Sequence, residues 1–205
     1  MPPDAETPID RDLLLRAEEG DEAAWREMVR RLYPQVAGIV RNHLRRHADH
    51  EDVVQEVFLK AFLKLNTFRG TQPFEHWISR ISVTTCYDWL RKIKARPAVT
   101  HADLSEAERA VVERTLAGAG GDEGGSDSRE AMRELLNKLI GGLKPDQQVV
   151  IRLLDLEERS VREVSELTGF SESKVKVTAM RARRKLSELL QQLEGTTRDP
   201  AAAAR

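Results

Sequence analysis

Cysteine is almost absent: Cys86 stands alone among 205 residues, so no internal disulfide can form, as befits a chain kept in a reducing cytoplasm. Aromatic residues make up only 5% of the chain, and no segment alternates apolar and polar side chains as a half-buried strand would. No apolar run approaches the roughly 18 residues that a membrane span requires, and the acidic, polar N-terminus lacks the apolar core of a signal peptide. These absences give the expectation of a soluble, cytoplasmic protein without membrane insertion. A net charge of −1 likewise offers no overall attraction to nucleic acid, so any such role must come from how the charges are distributed. What is abundant is helix-forming: Leu, Ala, Glu and Arg dominate, and Val and Ile recur at helical spacing. The expectation is an all-α fold.

The sequence divides into two helical domains, residues 10–96 and 129–193, joined by a spacer over 97–128 and followed by a tail over 194–205. In the first block Asp10 caps a short helix ending near Gly20, and a longer helix runs from Asp21 to about Arg46. Its apolar face is Ala24, Met28, Leu32, Val36, Ile39 and Val40, with Pro34 expected to bend it. Asp49 is read as the cap of a third helix, striped by Val53, Val57, Phe58, Ala61, Phe62 and Leu65. Arg69-Gly70-Thr71-Gln72-Pro73 breaks the pattern, and Phe74, Trp77, Ile78, Ile81, Thr85 and Trp89 resume it. The spacer is acidic and glycine-rich, with a short helix allowed over Leu104 to Leu116, and reads as a flexible linker. The tail lacks apolar content and reads as disordered.

The second block carries a sharper signal. Ser160 stands three residues before Glu163, a capping box. Val161, Val164 and Leu167 then form one face, Gly169 stands where a left-handed turn is needed, and Ser171 is placed to cap the next helix. Two helices joined by a glycine-containing turn are the form of a helix-turn-helix, here with four helices in a winged-helix-like domain. Val175, Met180 (or Ala179) and Leu186 are its expected buried positions. From Lys174 to Lys185 the second helix holds Lys174, Lys176, Arg181, Arg183, Arg184 and Lys185 with no acid between them. A helical stripe of one sign suits phosphates, and the first turns of such a helix suit base edges.

Two surfaces of the first block add to this. Asp52, Gln55, Glu56 and Leu59 fall at i, i+3, i+4 and i+7, forming an acidic patch with one apolar member that suits a basic protein partner. On the next helix Arg80, Thr84, Tyr87, Asp88 and Arg91 lie near Trp77, below the 69–73 loop. Aromatic rings interleaved with Arg suit unstacked single-stranded bases. The rings themselves read as core, shaping a platform on which the polar groups and the loop make contact.

Taken together, the two blocks resemble a bacterial RNA polymerase sigma factor of the extracytoplasmic function (ECF) group, in the sigma-70 family. Glu51 through Phe62 resembles the polymerase-docking helix. Phe68-Arg69-Gly70 with Phe74, Trp77, Ile78, Arg80 and Ile81 resembles the segment that reads the −10 element. Leu143-Lys144-Pro145 through Leu189 resembles the domain that reads the −35 element. The resemblance implies that Asp52, Gln55, Glu56 and Leu59 hold the β′ clamp helices of core RNA polymerase, with the β flap a second contact. It implies that Phe68, Arg69, Thr71, Gln72, Trp77, Arg80, Thr84, Asp88 and Arg91 engage the melted −10 strand, where a base is flipped out. It implies that Ser171, Ser173, Lys174, Lys176, Val177, Thr178, Arg181, Arg183 and Arg184 engage −35 promoter DNA. An anti-sigma factor is a further implied partner; no cofactor, metal or catalytic residue is. Two departures stand out: Thr84 where many relatives have Asn, and Thr178 where relatives often have Arg.

Two other classes compete. A repressor or activator would use the same helix-turn-helix but would leave the Asp52/Gln55/Glu56 patch and the 69–73 loop without a purpose. An enzyme would need a site, and the residues offer none with conviction. His43 and His47 are spaced for a metal, but Arg41, Arg45 and Arg46 surround them and no Glu follows His43. Neither a phosphate-binding glycine motif nor a nucleophile elbow is present.

Overall fold

A computed structural model describes residues 9–44, 49–93, 104–116 and 126–198, and its regular structure is helical throughout. In chain order the helices are α1 (Arg11–Glu18), α2 (Glu22–His43), α3 (His50–Lys64), α4 (Phe74–Lys92), α5 (Glu106–Leu116), α6 (Ser126–Gly141), α7 (Pro145–Ile151), α8 (Val161–Thr168) and α9 (Glu172–Arg198). A 3₁₀ turn, Leu65–Thr67, extends α3, and a π turn, Arg152–Leu156, extends α7. The chain packs as two units. One gathers the described residues up to Ile93 together with Arg159–Glu172; the other gathers those of Lys94–Glu158 and from Ser173 onward.

In the first unit the helix starts follow local chemistry. Asp10 accepts from the Leu13 N–H at 2.8 Å, and Asp21 accepts from Ala23 and Ala24, so two orphan helix ends are satisfied. α2 continues through Pro34, whose ring sits on the exposed side. The core is built from Leu13 and Ala17 of α1, Ala24, Met28, Leu32, Val36 and Val40 of α2, Val53, Val54, Val57, Phe58 and Ala61 of α3, and Phe74, Ile78, Ile81 and Cys86 of α4. Three details differ from expectation. Ile39 is only half-buried and Phe62 is 49% exposed, because each stands at the margin of its stripe. Asp49 makes no side-chain cap: its backbone is in the αR region (φ −95°, ψ −7°), whereas a capping residue needs extended backbone to turn its oxygen onto the helix. Finally, His43 is buried, with Nδ1 on the Ile39 carbonyl at 3.1 Å, and His50 Nε2 meets the Leu44 carbonyl at 2.8 Å. Both rings are thus occupied with backbone; His47 lies outside the described residues.

In the second unit the short helix allowed over Leu104 to Leu116 is present as α5, and it is packed. Leu104, Val111 and Val112 are buried with Ala131, Leu135 and Leu139 of α6 and Leu189 and Leu193 of α9. Ser105 and Glu108 form a capping box, with Ser105 N–H donating to Glu108 Oε2 at 2.7 Å and Glu108 N–H to Ser105 Oγ at 3.2 Å. The same carboxylate accepts a hydrogen bond from the Lys138 ammonium of α6 at 2.5 Å and is 1% exposed. Part of the acidity that suggested a solvated spacer is therefore neutralised by a lysine 30 residues away. Arg152 is buried too, with both terminal nitrogens on Asn137 Oδ1 at 3.0 and 3.1 Å, tying the π turn to α6. The glycine-rich stretch 117–125 and the tail from 199 lie outside the described residues, but α9 runs to Arg198, past the tail's expected start at 194.

Candidate nucleic-acid interface

Three exposed faces carry the residues singled out by sequence. The first is on α3. Val53, Val54, Val57 and Phe58 turn inward, which leaves Asp52, Gln55 and Leu59 exposed, Leu59 by 58%, with Glu56 half-buried beside them. The structure adds a residue that the sequence reading passed over. Lys60 Nζ meets Glu56 at 2.8 Å and donates to the buried Thr85 hydroxyl at 3.3 Å, with Asp88 4.0 Å away. Lys60 thus links the acidic face of α3 to α4. The i, i+4 spacing of Glu56 and Lys60 was visible in sequence; the reach to Thr85 was not, because it depends on the α3–α4 packing.

The second face is on α4 and the loop before it. Phe68 packs against Phe74 and Trp77 at ring-centroid distances of 5.1 and 5.6 Å, and Phe74 and Trp77 lie 5.0 Å apart. This cluster anchors the loop of Arg69, Gly70, Thr71 and Gln72, whose residues are exposed, with Gly70 at φ +66°. Arg80, Asp88 and Arg91 are exposed as well, and Arg91 lies over the Tyr87 ring at 5.7 Å. The Thr84 hydroxyl bonds back to its own helix, 2.8 Å from the Arg80 carbonyl and 3.0 Å from that of Ile81, so its oxygen faces outward chiefly as an acceptor. Within this unit α8 lies against α4, the Tyr87 and Phe170 rings meeting edge to face at 5.7 Å.

The third face begins at the turn between α8 and α9. Ser160 and Glu163 form the predicted capping box, with bonds of 2.8 and 3.2 Å. The Ser160 bonds hold the Glu163 carboxyl below its usual range, helped by Arg159. Gly169 has φ +74°, the left-handed backbone that closes α8, and its N–H returns to the Ser165 carbonyl at 2.9 Å. Over residues 172–184, the first turns of α9, the buried residues are Val175, Thr178, Ala179 and Ala182. Two expectations change here. Met180 is not core but 63% exposed, since Ala179 takes the inward position. Thr178 is only 6% exposed, so its side chain faces the protein interior rather than the exposed side of α9. Ser171, Ser173, Lys174, Lys176, Val177, Arg181, Arg183 and Arg184 are all exposed. Asp155 holds Arg183 through bonds of 2.6 and 3.0 Å, which also raise its pKa, and Arg184 meets Glu188 at 3.1 Å.

Among the described residues the regular structure is helical, with an acidic exposed face on α3 and a basic exposed face on α9, the charge pattern of a DNA-binding protein. The comparisons make this specific. The family model Sigma-70 region 2 matches residues 28–96, and the model Sigma-70, region 4 matches residues 133–186. The chain is 30% identical over 184 residues to the ECF RNA polymerase sigma-E factor of Escherichia coli (strain K12), covering 90% of this chain and 95% of that one. It is 31% identical over 189 residues to the factor of the same name from Haemophilus influenzae, covering 92% and 99%. Among solved structures it resembles CnrH in complex with the cytosolic domain of CnrY, with a TM-score of 0.53, 26% identity, and 89% and 97% coverage. The chain belongs to the sigma-70 family, in its ECF group, and its function is promoter-specific transcription initiation. No helix among the described residues is long and apolar enough to cross a membrane.

Proposed function

We propose that this chain assembles with core RNA polymerase in the cell interior and grips a promoter at two places, without catalysing a reaction itself. The observation that carries this reading is the presence, on one chain and in order, of the α3 docking face and the basic α9, within the stretches that match sigma regions 2 and 4. Asp52, Gln55, Glu56 and Leu59 meet the β′ clamp helices: the carboxylates steer a basic surface and Leu59 supplies a desolvated contact at its centre. The 69–72 loop with Arg80, Thr84, Asp88 and Arg91 holds the melted −10 strand, and the Phe68/Phe74/Trp77 cluster fixes the loop. Engaging a strand across Tyr87 requires α8 to leave α4. The exposed face of α9 enters the −35 major groove, Lys174, Lys176 and Arg181 meeting phosphates or base edges. An anti-sigma factor is a natural regulator: CnrH was solved with the cytosolic domain of CnrY, and the RpoE factor of Bartonella quintana with the anti-sigma factor NepR.

Run-off transcription with purified core polymerase tests the reading. Promoter-specific transcripts from a genomic fragment pool are the expected result, and the absence of any such transcript would refute it. A conventional repressor would instead bind duplex DNA alone, with no dependence on polymerase.

A further inference from the structure

The exposed side of α9 has an unusual composition. At 100° per residue, buried Val175, Thr178, Ala179 and Ala182 define one side of the helix, and the line directly opposite is Ser173, Val177, Met180 and Arg184. Lys174 and Arg181 flank this line on one side, and Lys176 and Arg183 flank it on the other. The centre of the tip is therefore apolar, with Val177 42% and Met180 63% exposed, between two rows of cations. Cations on both flanks suit the two phosphate backbones that border a groove, and the residues between them meet the groove floor.

Neither Val177 nor Met180 carries a hydrogen-bond donor of use to a base edge, and the Met thioether is only a weak acceptor. Side chains of this kind gain free energy only by covering an apolar group. The major groove offers one such group, the 5-methyl of thymine. We propose that Val177 and Met180 are specificity-determining residues that read thymine methyl groups in the upstream promoter element. This rests on the reading of α9 as the −35 helix. The two Cα atoms are separated by about 4.5 Å along the helix axis, close to the ~3.4 Å step between base pairs, so the methyls belong to neighbouring pairs. Val177, stiff at χ1, fixes one position, while Met180, unbranched and adaptable, covers a methyl on either strand of the next.

The experiment uses holoenzyme and a promoter selected from a random duplex library, in which each upstream thymine is replaced singly by deoxyuridine. That exchange removes one methyl and leaves every hydrogen-bonding group in place. At one or two neighbouring thymines, affinity should fall about fourfold, the worth of leaving one methyl group uncovered. In Val177→Ser and Met180→Gln holoenzymes, both changed only on the exposed surface and both stripped of the methyl groups that would cover the base, the loss at the matching thymine should vanish. Met180→Gln should also shift selection towards adenine there, since a carboxamide pairs with adenine's N6 and N7. Specific binding that is indifferent to deoxyuridine at every upstream position overturns the methyl reading alone. Deoxyuridine sensitivity that persists unchanged in both variants overturns the assignment to these residues. Failure to select any promoter at all would overturn the −35 role on which the inference stands.

Discussion

Replacing Lys138 by Met is the most exacting test of how the second unit is held together. The change keeps the aliphatic stem and removes the ammonium 2.5 Å from Glu108, whose side chain is 1% exposed. In the native protein burial pushes the Glu108 carboxyl up, but the bonds from Lys138 and Ser105 outweigh it and hold the group below its ordinary value of 4.5. Without Lys138, only the capping-box bonds remain against burial. Keeping the lone charge buried costs about 3–5 kcal/mol. The alternative is to protonate it, which from an ordinary pKa of 4.5 costs about 3.4 kcal/mol at pH 7 and about 0.7 kcal/mol at pH 5. The cheaper route sets the ceiling, so the variant should lose ~3 kcal/mol at pH 7. The sign of the pH dependence follows. A carboxyl depressed in the folded state lends stability that is present above its ordinary range and lost as pH falls through the folded value. That native contribution is intact at both pH 7 and pH 5, but in the variant burial, no longer offset by Lys138, favours the protonated carboxyl, whose cost falls with pH, so the deficit should shrink by roughly 2 kcal/mol between pH 7 and pH 5. Urea unfolding followed by far-UV circular dichroism, with hydrogen exchange on α5 and α6, measures it; Trp25, Trp77 and Trp89 all lie in the first unit, so tryptophan fluorescence would report on that unit instead. A deficit below ~1 kcal/mol at pH 7, or one equal at both pH values, would refute the reasoning. Adding Glu108→Leu should restore most of the stability, because a well-packed apolar pair replaces the stranded charge.

Other expectations concern the interfaces. Arg at both Asp52 and Glu56 should lower affinity for core polymerase at least tenfold in a pull-down titration while leaving the helical circular dichroism unchanged; normal holoenzyme assembly would remove the docking face from α3. Lys174→Ala and Arg181→Ala should each flatten the salt dependence of DNA binding by about one unit of slope if the side chain meets a phosphate, and should relax one base position if it meets a base. Ser160→Ala should cost about 1 kcal/mol by uncapping α8, and Gly169→Ala about 1–2 kcal/mol by forcing a side chain into the left-handed region, both seen as faster hydrogen exchange over Val161–Thr168. Lys60→Met should leave polymerase affinity nearly intact yet weaken promoter opening, measured by permanganate footprinting, because it unties Glu56 from Thr85 and Asp88; equal loss in both assays would assign Lys60 to docking instead.

Much of this protein is decided along the chain. Apolar residues at helical spacing made α1–α4 and α6–α9 legible, since a helix shows its buried face in its own sequence, and short-range chemistry placed the Asp10 and Asp21 caps, the Ser160–Glu163 box and the Gly169 turn. The basic run of α9 and the acidic run of α3 were legible for the same reason. What failed to show were features set by residues distant in sequence. Glu108 reads as one more solvated acid until Lys138 is brought against it, and the helix it caps reads as spacer until Leu135, Leu139, Leu189 and Leu193 cover it. Asp49 has the right side chain for a cap, but the backbone conformation at that turn withholds it. Adjacent residues on α9 are separated by 100°, so pattern alone left the inward place open between Ala179 and Met180; packing gave it to Ala179 and buried Thr178. The sequence by itself thus determined which helices form and which sign of charge each presents. Only the tertiary structure decided which side chains of α9 remain outside, because burial is a property of what lies opposite a residue and not of the residue itself.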